Sequence, residues 1–135
     1  MLIVAALTAC TSAAATKGEP TPPARVERVK GTKLRRIVLS ARAVQRLGLE
    51  TVAVAAAQDG SELTVLPYVS VIYDPGGQTW AYATIARRTY QRTPITVDRI
   101  VGDRAYLSAG PPVGTRVVSI GTAEVYGTEF FSDHE

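Results

Sequence analysis

Histidine, cysteine, tryptophan and methionine occur once each in the 135 residues, and phenylalanine twice. Each scarcity excludes a chemistry. The lone cysteine, Cys10, can form no internal disulfide, and no CxxC pair or Cys/His cluster offers a metal framework. The lone histidine, His134, stands next to the C-terminus, and no Ser/His/Asp set assembles around it. The only methionine is Met1, so the chain holds no thioether for a soft-metal site. Gly76-Gly77 lacks the Lys and the strand-to-helix setting of a phosphate loop. Asp74, Asp98 and Asp103 are expected at turns or strand ends, in turn-forming or solvated roles. No enzymatic activity, metal or cofactor is expected from this inventory. Long hydrophobic runs are also missing. Leu2 to Leu7 falls far short of the roughly 20 apolar residues that a spanning helix needs.

That short run has another use. It suits the end of a secretory h-region, and Leu7-Thr8-Ala9-Cys10 resembles the bacterial lipoprotein lipobox, which makes Cys10 the expected lipid attachment site. Residues 1–10 are then the signal segment. Residues 11–33, with Pro20, Pro22 and Pro23, lack periodicity and are expected to form a flexible tether. From Cys10 to Lys33 such a coil would span roughly 25 to 30 Å. The implied location is the cell envelope, on the outer face of the cytoplasmic membrane or on the outer membrane.

Charge is divided unevenly. The net charge of +3 combines a basic arm with a mildly acidic remainder. Lys17, Arg25, Arg28, Lys30, Lys33, Arg35, Arg36, Arg42 and Arg46 face only Glu19 and Glu27 in that stretch. An exported chain rarely meets nucleic acid, so none is expected as a partner. The arm either lies near anionic head groups or is a solvated linker.

Residues 34–131 are expected to form one mainly β domain, with 132–135 as a tail. Leu34, Ile37 and Leu39 read as a strand. Ser40 then caps a short helix at about 41–47, with Ala43, Val44 and Leu47 on its inner face and Gly48 as its stop. From Glu62 onward β-branched and aromatic residues dominate. Pro67 marks an edge, bend or bulge, and Trp80, Tyr82 and Thr84 alternate against Ala81 and Ala83. Six or seven short strands, closed by a helical turn at 122–126, predict a small barrel or sandwich.

Two segments then carry a resemblance. "IVLSARAVQRLGLETVAVAAA" and "LPYVSVIYDPGGQTWAY", the latter with the Thr93 to Phe130 region, resemble the membrane-proximal domain of periplasmic adaptor subunits, or membrane fusion proteins, of RND-type efflux systems. The likeness covers about Ile37 to Phe130. It implies a small antiparallel β-barrel-like domain that contacts an inner-membrane transporter. The lipoyl, helical-hairpin and barrel domains of a full adaptor have no room here, because Ala57 leads almost directly to Leu63.

The expected interface is the Tyr73–Tyr82 hairpin, "YDPGGQTWAY". Its turn residues Asp74, Pro75, Gly76 and Gly77 favour chain reversal. Tyr73, Trp80 and Tyr82 either fill one end of the domain or present a docking surface with Asp74. The leading expectation is a lipid-anchored, non-enzymatic accessory protein of a transport complex. A ligand-binding lipoprotein and an adaptor remnant without a partner remain as alternatives, and the oligomeric state is open.

Overall fold

A computed structural model describes residues 21–131. The chain is mainly β, with all strand pairs antiparallel. Its strands are β1 (Ala24–Arg28), β2 (Arg35–Leu39), β3 (Glu50–Ala53), β4 (Ala55–Ala56), β5 (Thr64–Pro67), β6 (Ile72–Tyr73), β7 (Thr79–Ala86), β8 (Thr89–Pro94), β9 (Thr96–Val101), β10 (Arg104–Ala109) and β11 (Arg116–Ile120). Helix α1 covers Ala41–Leu47 and α2 covers Thr122–Phe131, and a single 3-10 turn occupies Tyr68–Ser70.

One sheet runs β1-β2-β8-β7-β11-β3, with β6 also on β7; the other runs β4-β5-β10-β9. Both are open, so the barrel-like expectation resolves into stacked layers. The alternation along β7 shows why. Tyr82 points into a core with Ile37, Leu39, Tyr90, Val118, Ala43 of α1 and Val125 of α2. Its neighbour Ala81 points into a second core with Val54, Leu66, Ile95, Leu107 and Val117. Successive side chains of a strand leave on opposite faces, so the larger sheet is buried on both: helices cover one face and the four-stranded sheet covers the other. Small alanines on the second face let the sheets approach.

The short helix forms as expected. Ser40 Oγ accepts the Ala43 N–H at 3.0 Å, and Gly48 takes the left-handed conformation at φ 59°. Three expectations need correction. The domain begins at Ala24, not Leu34: β1 lies within the presumed tether and pairs with β2 over its whole length, Ala24 opposite Leu39. Extended backbone after two prolines suits an edge strand, and Ala24 packs on the first core. The C-terminal helix continues past Tyr126 to Phe131 despite Gly127, because Val125 and Glu129 are buried. Asp98 lies inside β9, at a bulge against β10.

Cys10 and His134 lie outside the described residues. Among the described residues, no helix is long and apolar enough to cross a membrane.

Candidate functional site

The hairpin from β6 to β7 is set by its turn. Gly77 adopts φ 80°, where a Cβ would be strained, and donates its N–H to Asp74 O at 2.9 Å. Asp74 holds the turn a second way. Its Oδ1 accepts the Gln78 N–H at 2.9 Å, and its Oδ2 accepts Trp80 Nε1–H at 3.0 Å. These donors, Trp80 first and Gln78 next, hold the Asp74 carboxyl below its ordinary pKa.

Trp80 carries the arrangement inward. The Arg92 guanidinium of β8 lies over its ring at 4.3 Å from the centroid, and over the Phe130 ring of α2 at 5.0 Å. Arg92 Nε then donates to both Glu129 oxygens at 3.1 Å. Glu129, only 1 % exposed, also accepts the Tyr82 hydroxyl hydrogen. Burial first, and the bond to Glu129 second, push the Tyr82 phenol far above its ordinary pKa. A continuous chain of polar and cation–π contacts thus runs Asp74, Trp80, Arg92, Glu129, Tyr82. It ties the hairpin turn to the C-terminal helix and leaves the buried carboxylate fully paired.

This geometry sorts the expected interface residues. Tyr73 is 52 % exposed. Trp80 is half-buried, with its N–H taken up by Asp74. Tyr82 is not an interface residue: it is fully buried, because the period-two pattern that exposes Tyr73 turns Tyr82 toward the helices and Glu129. Asp74 is a positioning residue of the turn.

Sequence reading missed Tyr68 and Val69, which are 41 % and 65 % exposed on the 3-10 turn that follows Pro67. The signal was Pro67 itself, which ends β5 and turns Tyr68 and Val69 outward while Ser70 is buried; the Tyr68 N–H is fixed to Asp103 O at 2.7 Å. The neighbouring Tyr68 hydroxyl, and burial after it, raise the Tyr73 pKa. Tyr68, Val69 and Tyr73 therefore form an exposed aromatic and aliphatic patch on a braced turn.

A second feature is an open groove of about 730 Å³ on the outer face of the four-stranded sheet, lined among others by Ala53, Ala56, Val65 and Tyr106. Of its charged lining groups, Asp59, Asp103 and Arg104, Asp59 is engaged from the edge of the groove. Asp59 accepts from Ser61 and Arg99, and Arg99 lies over the Tyr106 ring at 4.7 Å. Neither place gathers three or more metal-ligating side chains, and no such group occurs among the described residues.

The fold and the patch define a class, a mainly β domain with an exposed apolar patch. No protein-family model, curated protein or solved structure matches the chain.

Proposed function

We propose that the protein is a non-enzymatic, lipid-anchored accessory subunit of a membrane transport complex, which docks on an RND-type or related inner-membrane transporter through Tyr68, Val69 and Tyr73. The observation that carries this reading is the exposure of that patch, with Tyr68 and Val69 on the 3-10 turn fixed to Asp103 and Tyr73 beside the hairpin turn held by Asp74 and Trp80. Aromatic side chains that are already ordered lose little freedom on binding, which suits them to dominate an interface.

The chain reversal at 57–63 supports the resemblance to the adaptor domain. β4 and β5 pair directly, and the Ala57 N–H donates to Leu63 O at 2.9 Å. The hairpin thereby closes where a full adaptor leaves toward its other domains. β2 and β3 come from the segment before this hairpin, and both pair with strands from after it, β2 with β8 and β3 with β11. One domain is thus built from the two likeness-bearing segments. A small-ligand function is less well supported, since the groove is open rather than enclosing.

The test is cross-linking and pull-down of the tagged, natively expressed protein from solubilised membranes. Recovery of a transporter that is lost in Tyr73→Ala, and lost or reduced in Cys10→Ser, is the expected result. Recovery of the same partners from Tyr73→Ala and Val69→Asp at parental yield would exclude the patch as the docking surface.

A further inference from the structure

The basic arm is ordered into a hairpin, and its tip is a concentrated cationic surface. β1 and β2 are joined by residues 29–34, in which Val29 N–H donates to Leu34 O at 3.2 Å and Thr32 N–H to Val29 O at 3.3 Å. Gly31, at φ 77°, makes the reversal. Arg28, Lys30 and Lys33 are all exposed there. Together with Thr32, Leu34 and Arg35, Arg28 and Lys33 border a small open notch of about 290 Å³.

Few anions among the described residues face this surface. Glu27 is taken by Arg25 at 2.9 Å, and the Glu129 carboxylate is spent on Arg92 and Tyr82. Arg35 is held differently from its neighbours. It donates to the Glu129 carbonyl at 2.9 Å, one of the last four carbonyls of α2, which a helix leaves without intrahelical donors. Arg28, Lys30 and Lys33 therefore project their charge outward around a fixed backbone.

We propose that the β1–β2 tip seats the domain on an anionic lipid bilayer, with headgroup phosphates drawn to Arg28, Lys30 and Lys33. The occupant follows from charge complementarity and reach. Between Cys10 and Ala24 a coil would span about 20 Å, while the five-residue arms of the hairpin extend about 17 Å. A lipid at Cys10 and the hairpin tip can thus touch one membrane at the same time. This inference rests on the membrane placement proposed above, and it fixes how the domain is oriented. The tip lies on the bilayer, and the Tyr68–Tyr73 patch must meet its partner from that posture.

The test uses the full chain with Cys10→Ser, so that vesicle binding reads the charged surface without the anchor. Sedimentation with phosphatidylglycerol/phosphatidylcholine vesicles is compared with phosphatidylcholine alone. Binding to the anionic vesicles only, weakened by added salt, is expected. Lys30→Gln/Lys33→Gln should lower the partition coefficient about 25-fold, at roughly fivefold per charge. Arg42→Gln/Arg46→Gln removes the same charge from α1, at the opposite end of β2, and should lower it less than about threefold by the same distance argument. No preference for anionic vesicles at low salt overturns the proposal, and so does an equal loss in the two double variants. Fractionation of the native chain against Cys10→Ser tests the anchor separately, so failure of one leaves the other standing.

Discussion

Replacing Glu129 by Gln removes the charge at the centre of the buried network while keeping its shape. In the parent, Arg92 Nε donates to both carboxylate oxygens and the Tyr82 hydroxyl donates to one of them. The glutamine has one acceptor oxygen for these donors, and its amide group points a donor at another donor. Arg92, with only 10 % of its side chain exposed, keeps its charge without a counter-ion. Removing one partner of a buried pair costs about 3 to 5 kcal/mol. The faces of Trp80 and Phe130 already shelter the guanidinium, at about 0.5 to 2 kcal/mol for such contacts, and they persist in the variant. The expected loss is therefore near the lower limit, about 3 kcal/mol.

Urea unfolding followed by the fluorescence of Trp80 measures this loss directly, since the only tryptophan sits on Arg92. For a domain of this size the same loss lowers Tm by about 10 to 15 °C. A companion variant separates pairing from packing. Arg92→Met/Glu129→Leu/Tyr82→Phe removes the three members that meet at Glu129, and it should return to within about 1 kcal/mol of the parent. The reasoning is refuted if Glu129→Gln costs less than about 1 kcal/mol, or if the all-apolar variant is as unstable as the single one.

The other expectations follow from the same contacts. Tyr82→Phe should cost about 1.5 to 3 kcal/mol, the range for a hydrogen bond to a charged group. It should also shallow the alkaline limb of stability. Because burial raises the folded Tyr82 pKa, the folded state keeps a proton that the unfolded state loses above about pH 10, so this stabilisation is complete below that pH and falls as pH rises. Tyr90, raised mainly by burial, and Tyr73, raised beside Tyr68, supply the part that remains, and urea titrations between pH 8 and 11.5 of parent and variant isolate the Tyr82 share. Asp74 works in the opposite direction: its lowered pKa gives stability that is present above the ordinary carboxyl range and is lost as pH falls, so Asp74→Asn should flatten the acid limb below pH 4. Trp80→Ala should cost about 2 to 3 kcal/mol, less than a fully buried tryptophan, by thermal melting. Tyr73→Ala should change stability by less than about 0.5 kcal/mol while abolishing cross-linking to a transporter.

Local chemistry was legible in the sequence wherever a single residue type dictates the backbone. Ser40 and Gly48 bounded α1, Gly77 and Asp74 made the hairpin, and the alternation from Trp80 to Thr84 identified a strand. Side-chain direction along that strand was visible, but the burial of each face was not. A strand with small residues on one face and aromatics on the other fits a half-exposed sheet as well as one packed on both sides. Only the partners Val117, Leu66 and Leu107 reveal that the alanine face meets a second sheet. This explains why Tyr82 looked available for docking and is instead core.

The longer-range misses share one cause. Glu129 in "TEFF" reads as a solvated helix residue, and its role depends on Arg92 and Tyr82, 37 and 47 positions away. Local preference at Gly127 argued for an early helix stop, and the buried charge pair outweighs it, since glycine costs about 1 kcal/mol in a helix interior against several for an unpaired buried carboxylate. The same holds at the other end of the chain. "ARVER" follows a proline run and has the composition of a linker, yet Ala24 and Val26 find Leu39 and Ile37 directly opposite, and β1 closes the free edge of β2. Pairing turns a basic linker into a basic hairpin. Its cations, which a coil would spread over many conformations, are held on one rigid tip, and that converts an excess of charge into a surface with a direction.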